Sequence, residues 1–316
     1  MEGDGNGKFS DFCGRKRCFR KEGSRFGVVV HGSLGLVCGM SDLCCEANKK
    51  LLLIGHGYLG REIERIFRAG GWEIVNVSLS GGADSLACDV GDRVSVGQLP
   101  RADFMVHCAA SGRGGAGDYQ RVYVDGCRNL TEIFIGVPLL FTSSSSVYAQ
   151  TDGAVVTEES PTEPERETGR LLLEAERITL EAGGIAARLA GIYGPGRSVI
   201  LKKFLTGDAV IEEDGRRFLN QIHRDDAARA IYHLATSGVS GEIFNVCDST
   251  PISQLECYEN LAEFFALPLP PSGPRDPNRK RGWTHKRVSN QKLCATGWRP
   301  NFPSFLDAAK SVAASL

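Results

Sequence analysis

The stretch Leu51-Leu-Leu-Ile-Gly-His-Gly-Tyr-Leu-Gly60 decides the fold. Four apolar residues run into glycines at 55, 57 and 60, and a helical pattern follows at once. The order is strand, G-x-G-x-x-G turn, helix, and in that context each glycine has its own physical task. Gly55 allows the tight turn, Gly57 lets a pyrophosphate approach the backbone, and Gly60 lets the helix pack on the strand. The free N–H groups at the helix start, at Tyr58 and Leu59, then face the anion. The expectation is a dinucleotide-binding loop.

Outward from the loop, strands and helices alternate. Tyr58–Arg68 predicts an amphipathic helix with Leu59, Ile63, Ile66 and Phe67 as its apolar stripe, ended by Gly70-Gly71. Strands are expected at Glu73–Val77, within Ser85–Val90, at Asp103–Cys108, Pro138–Thr142 and Ile185–Leu189. Helices are expected around Tyr119–Phe134 and at Glu165–Ala182. This alternation predicts an α/β protein, a Rossmann-type doubly wound parallel sheet. The last third is less regular: a helix at Asp225–Thr236, a strand at Glu242–Val246, a helix at Leu255–Phe265 and an exposed Pro-rich loop at Pro268–Pro277. It predicts a smaller α+β substrate-binding region over 191–316, its segments interleaved with an NAD(P)-binding domain over 49–190.

A net charge of −1 gives no electrostatic reason to expect nucleic acid or an anionic membrane as partner. No apolar run approaches the roughly 20 residues of a membrane span. The partner expected is a small-molecule substrate, with a homodimer as the assembly. None of the eleven cysteines forms a C-x-x-C pair, so no metal site is expected. Cys88, Cys108 and Cys247 lie in apolar contexts and read as buried free thiols, which fits a reducing, cytoplasmic location. Residues 1–48 are rich in glycine and charge and show no period. They read as a disordered extension or a mis-called start, with Met40 as the alternative beginning. A targeting segment for an organelle is the other reading, weakened by Glu2, Asp4 and Asp11.

Several pieces along the body resemble the extended short-chain dehydrogenase/reductase superfamily, the NAD-dependent epimerase/dehydratase group. They are Gly55–Gly60, Cys88-Asp-Val-Gly-Asp92, Val106-His-Cys-Ala-Ala110, Val124-Asp-Gly-Cys-Arg-Asn-Leu130 and Phe141-Thr-Ser-Ser-Ser-Ser-Val-Tyr148. Ile192-Tyr-Gly-Pro-Gly196, Ile222-His-Arg-Asp-Asp226, Phe244-Asn-Val246, Lys286-Arg-Val-Ser-Asn290 and Gly297-Trp-Arg-Pro300 follow in the family's order. The resemblance covers nearly all of Lys50–Leu316. It implies that Asp89 contacts adenine, that Ala109, Ala110, Ser111 and Thr142 pass beside the cofactor, and that Ser144 is the active-site serine. It places Tyr193 and Arg197 near the substrate.

The same resemblance exposes a loss. The family usually carries Y-x-x-x-K at the start of the long helix, where a tyrosinate is the general acid/base. Alignment on Gly169-Arg170 puts Thr168 at the tyrosine position and Leu172 at the lysine position. An alkyl hydroxyl is a far weaker acid than a phenol, which itself titrates near pH ~10. Tyr148 is the nearest phenol in sequence, although its type and place suit packing. His223 reads as structural, with Asp225 as the helix cap. The usual nucleotide-sugar determinants are also missing, since Gly191 and Leu219 stand at their positions.

An acid at the end of the second strand normally takes the ribose hydroxyls and selects NAD. Ser78 stands there, with no acid before Asp84. That permits NADP, so the cofactor expected is NADP or NAD, with a lean to NADP. The S-S-x-S-V-Y strand and Tyr-less helix start resemble the bacterial YeeZ-type proteins. Two functions stay open: an atypical oxidoreductase or epimerase acting on a small polar, sugar-like substrate, or a non-catalytic NAD(P)-binding sensor or scaffold.

Overall fold

Lys50–Ile54 (β1) is the strand around which the molecule is built. Leu51, Leu52, Leu53 and Ile54 are all buried, as required of a strand covered on both faces. The computed structural model describes residues 49–112, 114–275 and 283–316. The expectations for residues 1–48 and Met40 lie outside the described residues.

β1 pairs in parallel with Glu73–Ser78 (β2) on one side and Phe104–His107 (β4) on the other. Leu86–Ala87 (β3) extends the β2 edge. Leu139–Ser144 (β5), Ile185–Leu189 (β6) and Ile243–Val246 (β7) extend the other edge. The order is β7-β6-β5-β4-β1-β2-β3, all parallel. The strand order reverses between β1 and β4, and a cleft opens there at the strands' carboxyl ends, as expected of a doubly wound sheet.

Tyr58–Ala69 (α1) buries Leu59, Ile63 and Phe67 and packs against Arg224–Thr236 (α4). Phe67 meets Tyr232 edge to face at 5.0 Å. The opposite face carries Gly126–Ile133 (α2) and Glu167–Glu181 (α3). The helix expected around Tyr119–Phe134 begins earlier, at Ala116, and winds as a π-helix over Gln120–Asp125. His107 donates from Nε2 to the Val122 carbonyl inside that wide turn, at 2.8 Å. Burial pushes His107 down to about 4, so the ring is neutral and suited to a sheet interior. Such π segments are frequent at functional sites, and this one borders the cleft.

A second core lies in the C-terminal region. Leu201, Phe204, Ile211, Leu261 and Phe305 belong to it, with Gln254–Phe265 (α5) along one side. The chain crosses between the two cores more than once. Ile222, Ala227–Leu234, Phe244–Cys247, Val288, Leu293 and Trp298 return to the first core. The described residues accordingly belong to one compact unit. Buried Asp226 ties the tail in place by accepting the Asn301 and Phe302 N–H groups at 2.9 and 2.8 Å.

One local expectation narrows and two change. The third strand is only the two residues Leu86–Ala87, both exposed, because it lies at the sheet edge. The Pro-rich segment includes a short strand, Ser272–Gly273, paired in parallel with Ile211–Glu212. His223, not Asp225, caps α4: its Nδ1 accepts the Asp225 N–H at 3.3 Å. Among the described residues, no helix is long and apolar enough to cross a membrane.

Candidate active site

The cleft above the switch point encloses about 680 Å³. The glycine loop forms one wall, and the residue-by-residue geometry separates the glycines' roles. Gly55 sits at φ +108°, and a Cβ there would lie 2.3 Å from the Ala109 nitrogen. At Gly60 a Cβ would lie 2.1 Å from the Gly55 carbonyl oxygen. These two glycines bring α1 and the end of β4 against the β1 turn. At Gly57 a Cβ would meet nothing within 4 Å, so the backbone is bare toward open space. No side chain caps α1 and no acid lies in its first turn. Its positive end, with the Tyr58 and Leu59 amides, is left for an external anion. Bare backbone, a helix N-terminus and a long cleft together fit a dinucleotide diphosphate.

The rest of the cleft can be followed from one end to the other. Near the end of β2, Ser78 and Asp89 line it. The Ser78 hydroxyl accepts from Ser85 Oγ at 2.9 Å, which ties it to its own turn. His56 also lines this end; its Nε2 pairs with Glu64 at 2.6 Å. Burial of Glu64 opposes its ionisation, but hydrogen bonds from Arg68, Asn76 and His56 prevail and hold its carboxyl below the usual range. The Asp89 carboxylate pairs with Arg121 and accepts the Gly91 N–H at 3.1 Å. Ala109, Ala110 and Ser111 form the middle, where the Ser111 N–H donates to the Tyr123 hydroxyl at 3.1 Å. Thr142 lines the cleft opposite and donates to the His107 carbonyl at 3.2 Å.

Ser144, Ser146 and Leu172 line the far end. Alternation along β5 separates neighbouring serines. Ser144 lines the cleft, its Oγ accepting the Ser146 N–H at 3.2 Å. Ser143 turns inward and donates to Glu176 at 2.5 Å.

Two expected site residues lie elsewhere. Tyr148 is fully buried. Its hydroxyl donates to Asn245 Oδ1 at 2.9 Å and accepts from Arg188 at 2.8 Å. Arg188 in turn grips Glu176, at 2.6 Å from Nη2. Burial pushes the Tyr148 phenol up, outweighing Arg188, so it stays protonated within a closed network. Tyr193 is in the second core, against Phe305 at 4.8 Å and His223 at 5.2 Å. Burial and the nearby Asp248 and Asp226 push its phenol far up. Neither hydroxyl is offered to the cleft. Thr168 lines only a small side pocket of about 50 Å³, with Leu172 in the wall between this pocket and the cleft. Arg170 is exposed and donates to the Glu165 carbonyl at 3.1 Å, so it does not replace the missing lysine.

Sequence reasoning missed four neighbours. Arg121 and Tyr123 arrive on the π-wound segment, whose register no α-helical count would place, and Tyr119 on the short helical turn just before it. Tyr119 borders both the cleft and the side pocket. Lys286 lies behind the side pocket, donating to the Tyr148 carbonyl at 2.6 Å and Thr284 Oγ1 at 3.1 Å. Burial, helped by Arg217, pushes it down to about 8. Its position inside a tail motif carried no sign of this burial.

Fold and cleft together define an NAD(P)-binding protein of the short-chain dehydrogenase/reductase type. The profile of the NAD dependent epimerase/dehydratase family matches residues 51–247, and the chain belongs to that family. It is 29% identical to Protein YeeZ of Escherichia coli (strain K12) over 245 residues, 70% of this chain and 86% of that protein. Human epimerase family protein SDR39U1, solved with NADPH, superposes with a TM-score of 0.72 at 17% identity. That match covers 84% of this chain and all of the human one. MoeE5, solved with UDP-glucose and NAD, superposes with a TM-score of 0.71 at 21% identity, covering 84% of this chain and 98% of its own. At such identities the two structures show the shared fold.

Proposed function

We propose that this protein binds NADP or NAD in the cleft and acts as an oxidoreductase or epimerase on a small polar substrate, without the usual Tyr-Lys pair. One observation carries the reading: the cofactor wall keeps its sterically required glycines while the Ser144 hydroxyl lines the opposite end of the same cleft. A bound nicotinamide would supply hydride transfer. The glycine loop and α1 would hold the diphosphate, and Asp89 the adenine side. Ser144, with Ser146 beside it, would hold a substrate oxygen. The NADP lean rests on Ser78 in place of an acid and on the engagement of Glu64 by His56 and Arg68. A solved human neighbour with NADPH and another neighbour with NAD support the cofactor class, not the choice between them. The six free cysteines among the described residues support a reducing, cytoplasmic setting.

A second reading, a non-catalytic NAD(P) sensor, is favoured by one observation. Thr168 and Leu172 leave the head of α3 without a titratable group at either usual position. Deuteride transfer from labelled NADPH and NADH to a panel of sugars and small hydroxy-ketones separates the two. The enzyme reading expects a labelled product and a drop of at least about tenfold with Ser144→Ala. Cofactor binding without transfer to any member, or turnover indifferent to Ser144→Ala, refutes the catalytic assignment.

A further inference from the structure

Arg197 was expected at the substrate, yet it stands over the cofactor loop. It closes the turn Gly194-Pro195-Gly196-Arg197, in which Gly194 and Arg197 exchange two backbone hydrogen bonds of 2.9 Å. The turn is also pinned through its two central residues. Tyr58, the first residue of α1, donates its hydroxyl to the Pro195 carbonyl at 3.1 Å. The Gly196 N–H donates to Ser315 Oγ at 2.9 Å. A Cβ at Gly194 would lie 2.8 Å from the Tyr58 hydroxyl, so the turn approaches that ring closely.

Two guanidinium groups lie over the Tyr58 ring, Arg197 at 5.1 Å from its centroid and Arg224 at 5.2 Å. Their charges are spent differently. Arg224 pairs with Asp225 at 2.8 Å and lies 3.7 Å from Glu62. Arg197 has no carboxylate partner among the described residues, and it lines the cleft. An uncompensated cation, held on an aromatic platform at the first turn of α1, lines the same cleft as bare Gly57. A forked donor is the chemistry that recognises two linked phosphates.

We propose that Arg197 is the second jaw of a pyrophosphate clamp, gripping the dinucleotide's diphosphate from the C-terminal region while the α1 amides hold its other side. The proposal rests on the dinucleotide reading and deepens it. It also removes Arg197 from the substrate.

The test is calorimetric titration of ADP-ribose, which has the diphosphate but no nicotinamide, at low and high salt. Wild type is compared with Arg197→Gln and Arg197→Lys, with thermal melting to show that each variant is folded. The clamp predicts that Arg197→Gln weakens ADP-ribose at least about tenfold and flattens the salt dependence. Arg197→Lys, which keeps the charge but not the fork, recovers part of the affinity. Equal ADP-ribose affinity in wild type and Arg197→Gln overturns the clamp while leaving the cofactor reading intact. So does a loss with unchanged salt dependence and no recovery by lysine. If wild type binds neither ADP-ribose nor NADPH, the dinucleotide reading fails and the clamp with it.

Discussion

The two ends of the cleft have kept different things. At the β1 turn, backbone geometry is retained to the atom: two glycines cannot accept a Cβ, and the third faces open space. At the head of α3 the helix is in place, but Thr168 and Leu172 occupy the positions of the acid/base pair. Even steric detail survives there, since a Cβ at Gly169 would lie 2.4 Å from Pro164. What is missing is titratable chemistry, not structure. The comparison teaches that a cofactor cleft is held by shape, whereas a proton-transfer site is held by a few side-chain identities that can change without disturbing the fold.

The largest effect should come from the loop itself. Gly60→Ala forces a Cβ onto the Gly55 carbonyl, and an effect above about 3 kcal/mol on folding is expected in chemical denaturation. Gly57→Ala should leave stability within about 0.5 kcal/mol yet weaken NADPH at least about tenfold by titration. Equal stability loss in both variants would erase the division of labour between the glycines. Next comes the buried network behind Ser144. Arg188→Met leaves Glu176 and the Tyr148 hydroxyl without their cation, at a cost of about 3–5 kcal/mol. Tyr148→Phe should cost about 1–3 kcal/mol and leave cofactor affinity unchanged, because among the described residues its hydroxyl bonds only Asn245 and Arg188. A normal melting curve with abolished turnover would instead make Tyr148 the missing acid.

The smallest effect is a pH signature near the side pocket. The Lys286 pKa is lowered in the folded protein, so the unfolded chain binds more protons between pH 8 and the ordinary lysine value, and this group's contribution to stability rises with pH. Desolvation pushes Cys108, Cys127 and Cys257 up to about 12, and they act in the opposite direction above their ordinary pKa. The comparison must therefore be between wild type and Lys286→Met. Relative to that variant, wild type should gain about 1 kcal/mol between pH 7 and 9. A pH-independent difference between the two would place a charge-compensating group beside Lys286 or leave its Nζ in water.

How much of this was legible beforehand follows from the kind of signal each residue carries. Leu51–Ile54 and the glycines could be read because buried parallel strands and tight turns restrict residue type over consecutive positions. Thr168 and Leu172 were visible as losses because the resemblance to the family, aligned on Gly169-Arg170, fixed the two positions. Arg197 could be placed near the cleft, but its stacking on Tyr58 depends on residues 139 positions apart meeting in space. The π turn hid Arg121 and Tyr123, since an extra residue per turn shifts the side chains it carries. His223 read as structural, and it is itself the helix cap in place of Asp225, because capping needs only one acceptor at one backbone position.

The central claim is that the cleft binds a nicotinamide dinucleotide although the usual acid/base pair is gone. Direct titration of NADPH and NADH into the full chain tests it. The account predicts one saturable site, tighter for NADPH than for NADH and weakened by Gly57→Ala. Binding of neither dinucleotide would contradict it.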